Sequence, residues 1–153
     1  MQFSSIESSA TSDRREANRP IVLYVEDHPV NVLVMQAFFE QRPGLELVVA
    51  TTGKEALELA VGLHPVLLLL DLSLPDCHGS VLLPALRHHA GCRDTTAVAV
   101  TAEPCFDIEG TGFSELWAKP MYLAQVLGRL DALTASINGA GACTTPTAAR
   151  AVI

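Results

Sequence analysis

The sequence lacks long hydrophobic runs and paired cysteines. None of its 153 residues falls in an apolar stretch long enough to span a bilayer. Its four cysteines, Cys77, Cys92, Cys105 and Cys143, stand apart, without a CxxC pair or metal-ligand spacing. Neither a transmembrane protein, a zinc site nor a disulfide framework is therefore predicted, and a reducing, cytoplasmic setting fits best.

Basic residues are also scarce. Ten Lys and Arg stand against 17 Asp and Glu, which gives a formal charge of -7 at pH 7. This charge disfavours direct binding to the phosphates of nucleic acids. The first 19 residues are polar and contain neither the apolar core nor the small-residue cleavage site of a secretory signal. No nucleic-acid or membrane partner is expected.

Hydrophobic residues are plentiful. They make up 49% of the chain, which is enough for one domain with a substantial core. Residues 1–19 form a polar leader, and residues 135–153 consist largely of Ala, Gly, Thr and Pro with little to bury. We expect both ends to be disordered and a single domain to span residues 20–134.

Strand and helix patterns alternate between these ends. Pro29 suits the first turn of a helix, and Thr52 with Glu55 has the form of a capping box. The alternation predicts an α/β fold, with a parallel sheet covered by helices on both faces. The predicted strands are 21–25, 45–50, 66–70, 97–101 and 116–118, and the clearest helices are about 29–41, 52–61, 81–89 and 123–134.

Polar side chains stand at the carboxyl ends of four predicted strands. Glu26 and Asp27 follow the first strand, and Asp71 ends the apolar run of the third. Thr101 ends the fourth strand and Lys119 follows the fifth. Because ligands bind outside the carboxyl ends of parallel strands, this topology brings all five residues to one edge.

Converging carboxylates either share a proton or bind a hard cation. Mg²⁺ suits an oxygen site without Cys or His ligands, and Asp27 and Asp71 are its expected direct ligands. A carboxylate beside Mg²⁺ can form an aspartyl phosphate, with Lys119 and the Thr101 hydroxyl contacting phosphate oxygens. These parts predict phosphoryl transfer. A turn-capping role for Asp71 alone would not explain the convergence.

The motifs around these residues resemble those of response-regulator receiver domains. The resemblance runs from about Ile21 to Leu133, and its motifs occur in the family's order at predicted strand ends. The string VEDHPVN is similar to receivers of hybrid histidine kinases and phosphorelays. The matching motifs are Glu26-Asp27, DLSLPDCHG from Asp71 to Gly79, Thr101-Ala102 and Lys119-Pro120.

The resemblance implies a fold and a metal site. The fold would be a doubly wound, flavodoxin-like sheet of five strands in the order 2-1-3-4-5, an order that the residue patterns alone do not supply. Mg²⁺ would be bound by Asp27, Asp71 and the backbone carbonyl of Ser73, with Glu26 acting through a metal-bound water.

The resemblance also implies a function. Asp71 would accept a phosphoryl group from a phosphohistidine, and Thr101 and Lys119 would hold it. The protein would be a single-domain response regulator in a two-component pathway or phosphorelay. Its partners would be a histidine kinase or a histidine-phosphotransfer protein and a downstream protein target. It would not be an enzyme, since its turnover would be limited to its own dephosphorylation.

Two features depart from the family pattern. Receivers usually carry Tyr or Phe three residues before the lysine, where this chain has Leu116. Trp117 is adjacent, but side chains alternate across a strand, so it should lie on the opposite face. The stretch from Thr101 to Lys119 is also short and contains Pro104 and two glycines, which predicts a shortened fourth helix.

Two other functions remain open. The departures fit a receiver-like interaction module that works without phosphorylation. Alternatively, Asp71 could be the nucleophile of a Mg²⁺-dependent phosphatase similar to haloacid dehalogenase-like enzymes. Those enzymes usually carry a second Asp two residues after the nucleophile, where this chain has Ser73, which argues against turnover of external substrates.

Overall fold

The structure, a computed structural model, describes residues 18–103 and 105–138. Disorder was predicted for residues 1–19 and 135–153, and most of these residues, 1–17 and 139–153, lie outside the described ranges. Within them, the elements are β1 (Ile21–Val25), α1 (Pro29–Phe39), β2 (Glu46–Ala50), α2 (Gly53–Ala60), β3 (Leu67–Asp71), α3 (Gly79–Leu86), a short 3-10 helix (Ala90–Cys92), β4 (Thr96–Thr101), β5 (Glu115–Ala118) and α4 (Leu123–Asn138).

The strands form one parallel sheet in the order β2-β1-β3-β4-β5. This arrangement confirms the predicted fold class and strand order. β3 lies at the centre, and all five of its residues are buried because both faces of the sheet are covered. Asp71, the last residue of β3, is therefore at the middle of the carboxyl edge, opposite Val100 of β4.

The core has two layers, one on each face of the sheet. Successive residues of each strand contribute to opposite layers, because side chains alternate along a strand. Buried residues of one layer include Leu23, Leu68, Leu70 and Ala99 from the sheet and Ala56, Leu82 and Leu86 from α2 and α3. Those of the other include Tyr24, Leu69, Val100 and Trp117 from the sheet and Met35, Val126 and Leu130 from α1 and α4.

The segment between β4 and β5 is more irregular than the predicted short helix. Its described residues, 102–103 and 105–114, form bends and turns without a helix. Gly110 and Gly112 have φ angles of 73° and 90°, in the left-handed region that helical residues do not occupy. The family's fourth helix is thus absent from the described part of this segment.

Helix ends differ in detail from the sequence patterns. Thr52 caps α2 as predicted, since its hydroxyl accepts a hydrogen bond from the Glu55 N–H at 3.0 Å. Glu55 reaches one residue further back than in a capping box and accepts from the Thr51 N–H at 2.9 Å. α4 extends to Asn138, beyond the predicted end at Thr134. The disorder predicted from residue 135 onward is therefore wrong for residues 135–138, which continue the helix.

Among the helices of the described ranges, none is both long enough and apolar enough to cross a bilayer.

Candidate functional site

Lys119 bridges two buried carboxylates at the carboxyl edge of the sheet. Its Nζ lies 2.7 Å from Glu26 Oε2 and 3.0 Å from Asp71 Oδ2. Glu26 follows β1, Asp71 ends β3 and Lys119 follows β5, so three strands supply the three groups. The side chain of Lys119 is 15% exposed, so it is not completely enclosed by the protein.

Glu26 is surrounded by donors. Its Oε2 accepts hydrogen bonds from Lys119 Nζ and, at 3.2 Å, from the Tyr24 hydroxyl. Its Oε1 accepts from the His28 N–H and from Asn31 Nδ2, both at 3.2 Å. The described residues therefore provide two donors for each oxygen of this fully buried carboxylate. Such complete pairing is what a buried charge requires.

The titration behaviour of the cluster follows from burial and pairing. Burial acts to raise the pKa of Glu26, but hydrogen bonds from Lys119 and Asn31 outweigh it and hold that pKa below its ordinary value. Burial raises the pKa of Asp71, helped by the Glu26 charge and opposed by hydrogen bonds from Ser73 and Lys119. The two carboxylates share the ammonium group of Lys119, which lies closer to Glu26 than to Asp71.

The remaining members of the cluster keep their protons. Burial acts to lower the pKa of Lys119, but its hydrogen bonds to Glu26 and Asp71 raise it above the usual lysine value. Burial and the neighbouring Glu26 charge raise the pKa of Tyr24 well above that of a free tyrosine. Both groups therefore act as hydrogen-bond donors to Glu26 at neutral pH.

Asp27 completes an acidic group with Glu26 and Asp71. One carboxylate oxygen from each of the three residues lies within 4.8 Å of the others. Asp27 is exposed, whereas the other two are buried, so the group opens to solvent on the Asp27 side. The donor set consists of oxygen atoms, which fits a hard cation such as Mg²⁺ better than a softer metal.

Thr101 and Ser73 lie beside this group. Thr101 is buried, its carbonyl accepts from the Lys119 N–H at 2.8 Å, and its hydroxyl accepts from the Glu103 N–H at 2.9 Å. Among the described residues, no group accepts a hydrogen bond from this hydroxyl. The Ser73 N–H donates to Asp71 Oδ1 at 3.1 Å, which orients the carboxylate.

The loop after Asp71 is tied to a neighbouring helix. Asp76 accepts hydrogen bonds from the N–H groups of Gly53 and Lys54, at the start of α2, both at 2.9 Å. Gly79, at the start of α3, lies so close to the chain that a Cβ there would be 2.5 Å from the Asp71 carbonyl oxygen. These contacts fix the backbone that carries the Asp71 carboxylate.

Three of these contributors were not predicted from the sequence. Tyr24 was assigned to a strand without a role, although a hydroxyl two residues before Glu26 in an apolar strand was a usable signal. Asn31 lies in the first turn of α1, and its contact with Glu26 depends on how α1 follows β1. Asp76 contacts residues 22 and 23 positions away, and no local pattern shows such a contact.

β5 shows the expected alternation. Leu116 pairs with Ala99 and Trp117 pairs with Val100, so the two side chains lie on opposite faces of the sheet. Trp117 Nε1 donates to Glu115 Oε2 at 2.9 Å. Trp117 therefore belongs to the layer beneath α1 and α4 and does not occupy the position of the missing aromatic residue.

Comparison with known proteins identifies the family. The sequence profile of the response regulator receiver domain matches residues 22–111, well over half of the chain. The chain belongs to this family, and its fold and acidic site are those of a receiver domain. The resemblance found in the sequence motifs is confirmed.

Curated relatives agree with this assignment. The polar-differentiation response regulator DivK of Brucella ovis is 35% identical over 81 residues, which cover 53% of this chain and 65% of DivK. A protein-glutamate methylesterase/protein-glutamine glutaminase 2 of Methanospirillum hungatei JF-1 is 39% identical over 59 residues, or 38% of this chain and 17% of the relative. The chain thus spans less than two thirds of the length of either relative.

Solved structures share the fold. The receiver domain of a sensor histidine kinase from Pseudomonas aeruginosa PAO1, which has a magnesium ion in its active-site cleft, aligns with a TM-score of 0.69 and 24% identity over 77% of this chain and 99% of that one. A two-component response regulator from Clostridium difficile aligns with a TM-score of 0.70 and 19% identity over 79% and 100%.

Proposed function

We propose that this receiver accepts a phosphoryl group on Asp71 from a phosphohistidine, with Mg²⁺ as the cofactor, in a two-component pathway or phosphorelay. The main support is the bridging of Glu26 and Asp71 by Lys119 beside the Asp27 carboxylate. The Asp71 carboxylate accepts from the Ser73 N–H through one oxygen and from Lys119 through the other, and it lies beside an acidic group that opens to solvent. This arrangement meets the needs of a phosphoacceptor.

Mg²⁺, when bound, would offset the repulsion between Asp71 and the incoming phosphoryl group. Asp27, Asp71 and the backbone carbonyl of Ser73 would hold it, and Glu26 would act through a metal-bound water. Glu26 already accepts four hydrogen bonds from described residues, so such a water would have to replace one of these donors. The oxygen atoms of the acidic group are otherwise of the kind that Mg²⁺ prefers as ligands.

The chain's own residues would then perform the transfer. An Asp71 oxygen attacks phosphorus, a P–O bond forms, the P–N bond of the phosphohistidine breaks, and the electron pair of that bond returns to the imidazole nitrogen. Lys119 exchanges its hydrogen bond with Asp71 for one with a phosphate oxygen. The Thr101 hydroxyl donates to another phosphate oxygen. The negative charge of the phosphoryl group is thus stabilised by an ammonium group and a hydroxyl.

The proposed role is that of a phosphoacceptor that at most hydrolyses its own acyl phosphate. Its partners would be a histidine kinase or a histidine-phosphotransfer protein and a protein that binds the phosphorylated form by population shift. The exchange would take place in the cytoplasm, a setting that suits the free thiols of Cys77, Cys92 and Cys105.

The proposal is tested by phosphorylation with acetyl phosphate and Mg²⁺, measured by intact mass. We expect one added phosphoryl group on wild type and on Asp94→Asn, and none on Asp71→Asn. Asp94 is an exposed aspartate that precedes β4, at the opposite edge of the sheet, and so provides a matched control. A modification that persists in Asp71→Asn would contradict the assignment.

A second candidate is an interaction module that works without phosphorylation. Leu116 in place of the aromatic residue and the absence of a helix from the described part of the β4–β5 segment favour it. It predicts that partner binding is the same for wild type and Asp71→Asn, whereas the phosphoacceptor proposal predicts a difference once the wild type is phosphorylated. A pull-down with both proteins after acetyl phosphate treatment separates the two.

A further inference from the structure

Tyr24 is a phenol in a strand whose other residues are apolar. It is fully buried in the core layer beneath α1 and α4, where it belongs to the same cluster as Trp117 and Met35. Its hydroxyl donates to Glu26 Oε2 at 3.2 Å. A phenylalanine would fill nearly the same volume, so packing does not explain the hydroxyl.

The oxygen that Tyr24 contacts also binds Lys119. Glu26 Oε2 accepts from the Tyr24 hydroxyl and, at 2.7 Å, from Lys119 Nζ. Lys119 extends its other hydrogen bond to Asp71 at 3.0 Å. Two donors therefore share one oxygen, and the donor that belongs to Tyr24 limits how strongly that oxygen holds the ammonium group.

The geometry points to Tyr24 as a positioning residue for phosphoryl transfer, which, by donating to Glu26 Oε2, keeps Lys119 available to Asp71 and to the phosphate bound there. This inference rests on the proposed function. Without the Tyr24 hydroxyl, Glu26 Oε2 would accept a stronger hydrogen bond from Lys119. The ammonium group of Lys119 would then move away from Asp71. Tyr24 contacts neither the phosphoryl group nor the phosphodonor, and it acts through Glu26.

The first test is the rate of phosphorylation by acetyl phosphate in Tyr24→Phe. We expect the maximal rate to fall on the order of tenfold, the scale of one hydrogen bond to a charged group. The half-saturating Mg²⁺ concentration should not rise, because Asp27 and Asp71 are untouched and loss of the Tyr24 donor leaves Glu26 a free position for a metal-bound water. An unchanged maximal rate would overturn the inference, as would a change confined to the Mg²⁺ requirement.

A matched control separates positioning from general stability. Thr134→Val removes another buried hydroxyl, one that donates to the Leu130 carbonyl of α4 at 2.7 Å, away from the site. We expect this variant to lose stability but to keep the wild-type maximal rate at a temperature where all three proteins are folded. An equal fall in rate for both variants would assign Tyr24 a structural role and refute positioning.

A second measurement does not depend on phosphoryl transfer. The side-chain ammonium signal of Lys119, observed by nitrogen-15 NMR without phosphodonor, should shift in Tyr24→Phe and stay in place in Thr134→Val. Lys54, the other lysine of the chain, is exposed and serves as the internal reference. An unshifted Lys119 signal in Tyr24→Phe refutes the inference. If wild type is not phosphorylated, the proposed function fails, and this signal still decides whether Tyr24 positions Lys119.

Discussion

The chemistry of the site depends on one lysine side chain, Lys119, that is shared by two carboxylates. Glu26 is completely buried, and its charge is tolerated because described residues supply four donors. Lys119 is the charged one among them, and it is also the donor that reaches Asp71. A single side chain thus stabilises the fold around Glu26 and supplies positive charge where a phosphoryl group would arrive.

Replacement of Lys119 by methionine should therefore destabilise the fold. The Glu26 charge would remain buried without a counter-charge, so the free energy of unfolding in Mg²⁺-free buffer should fall by roughly 3 kcal/mol. In a Glu26→Gln background the same replacement should cost less, because only one of the two carboxylates that Lys119 bridges, Asp71, can then lose its counter-charge. Urea denaturation measures both values, and Lys54→Met, at an exposed position, is the control. Equal losses in the two backgrounds would contradict this explanation.

The elements around the site are held together by contacts between a loop and a helix end. The loop that follows β3 carries Asp76, whose carboxylate accepts from the first N–H groups of α2. Such an interaction satisfies donors that a helix leaves unpaired and places a negative charge at the positive end of its dipole. The position of the Asp71 loop is therefore coupled to α2.

This coupling predicts a pH dependence. Hydrogen bonds from Gly53 and Lys54 hold the pKa of Asp76 below its ordinary value. The ionised carboxylate therefore stabilises the fold above the ordinary pKa of aspartate, and this stabilisation is lost as the pH falls through the lowered pKa. Asp76→Asn should have a lower melting temperature than wild type at neutral pH, and the difference should shrink in acid.

Thermal unfolding scans from neutral to strongly acidic pH test this expectation. Asp94→Asn, at an exposed position away from the loop, should follow the wild-type melting temperature throughout. A difference between wild type and Asp76→Asn that is constant over the whole pH range would show that the charge of Asp76 is not its source.

Across the whole molecule, the site exists because five parallel strands end at one edge. Residues as far apart as Glu26 and Lys119 meet there, 93 positions apart in the chain. A second long-range contact, between Arg42 at the end of α1 and Asp131 of α4, lies on the surface, where an ion pair adds little stability. The acidic group is formed when the sheet is complete, so metal binding and folding should be linked.

Mg²⁺ should therefore raise the stability of the whole domain. At a Mg²⁺ concentration tenfold above its dissociation constant, the free energy of unfolding should increase by about 1.4 kcal/mol. Differential scanning calorimetry with Mg²⁺ and then with excess EDTA measures the rise and its reversal. Asp27→Asn should abolish the rise, whereas Asp94→Asn should retain it. A similar rise in both variants would place Mg²⁺ binding elsewhere.

The sequence alone was sufficient for the five strands, for the four α-helices of the described ranges and for the carboxylates and lysine gathered at the site. It was not sufficient for the β4–β5 segment, where the predicted short helix does not form in the described residues. The apolar run before Asp71 and the β-branched run before Thr101 are local patterns, and parallel strands necessarily bring their carboxyl ends to one edge. The strand order did not follow from these patterns and came from the family resemblance, because helices on either face permit several orders of strands.

The hydrogen bonds that tune the site required the folded chain. The hydrogen bonds of Tyr24, Asn31 and Lys119 to Glu26 depend on how α1 and β5 are placed relative to β1. The hydrogen bonds of Asp76 connect the loop after β3 to the start of α2, a helix that precedes β3 in the chain. Local sequence patterns reflect the conformation of neighbouring residues, whereas these hydrogen bonds arise from distances between atoms that only packing brings within reach.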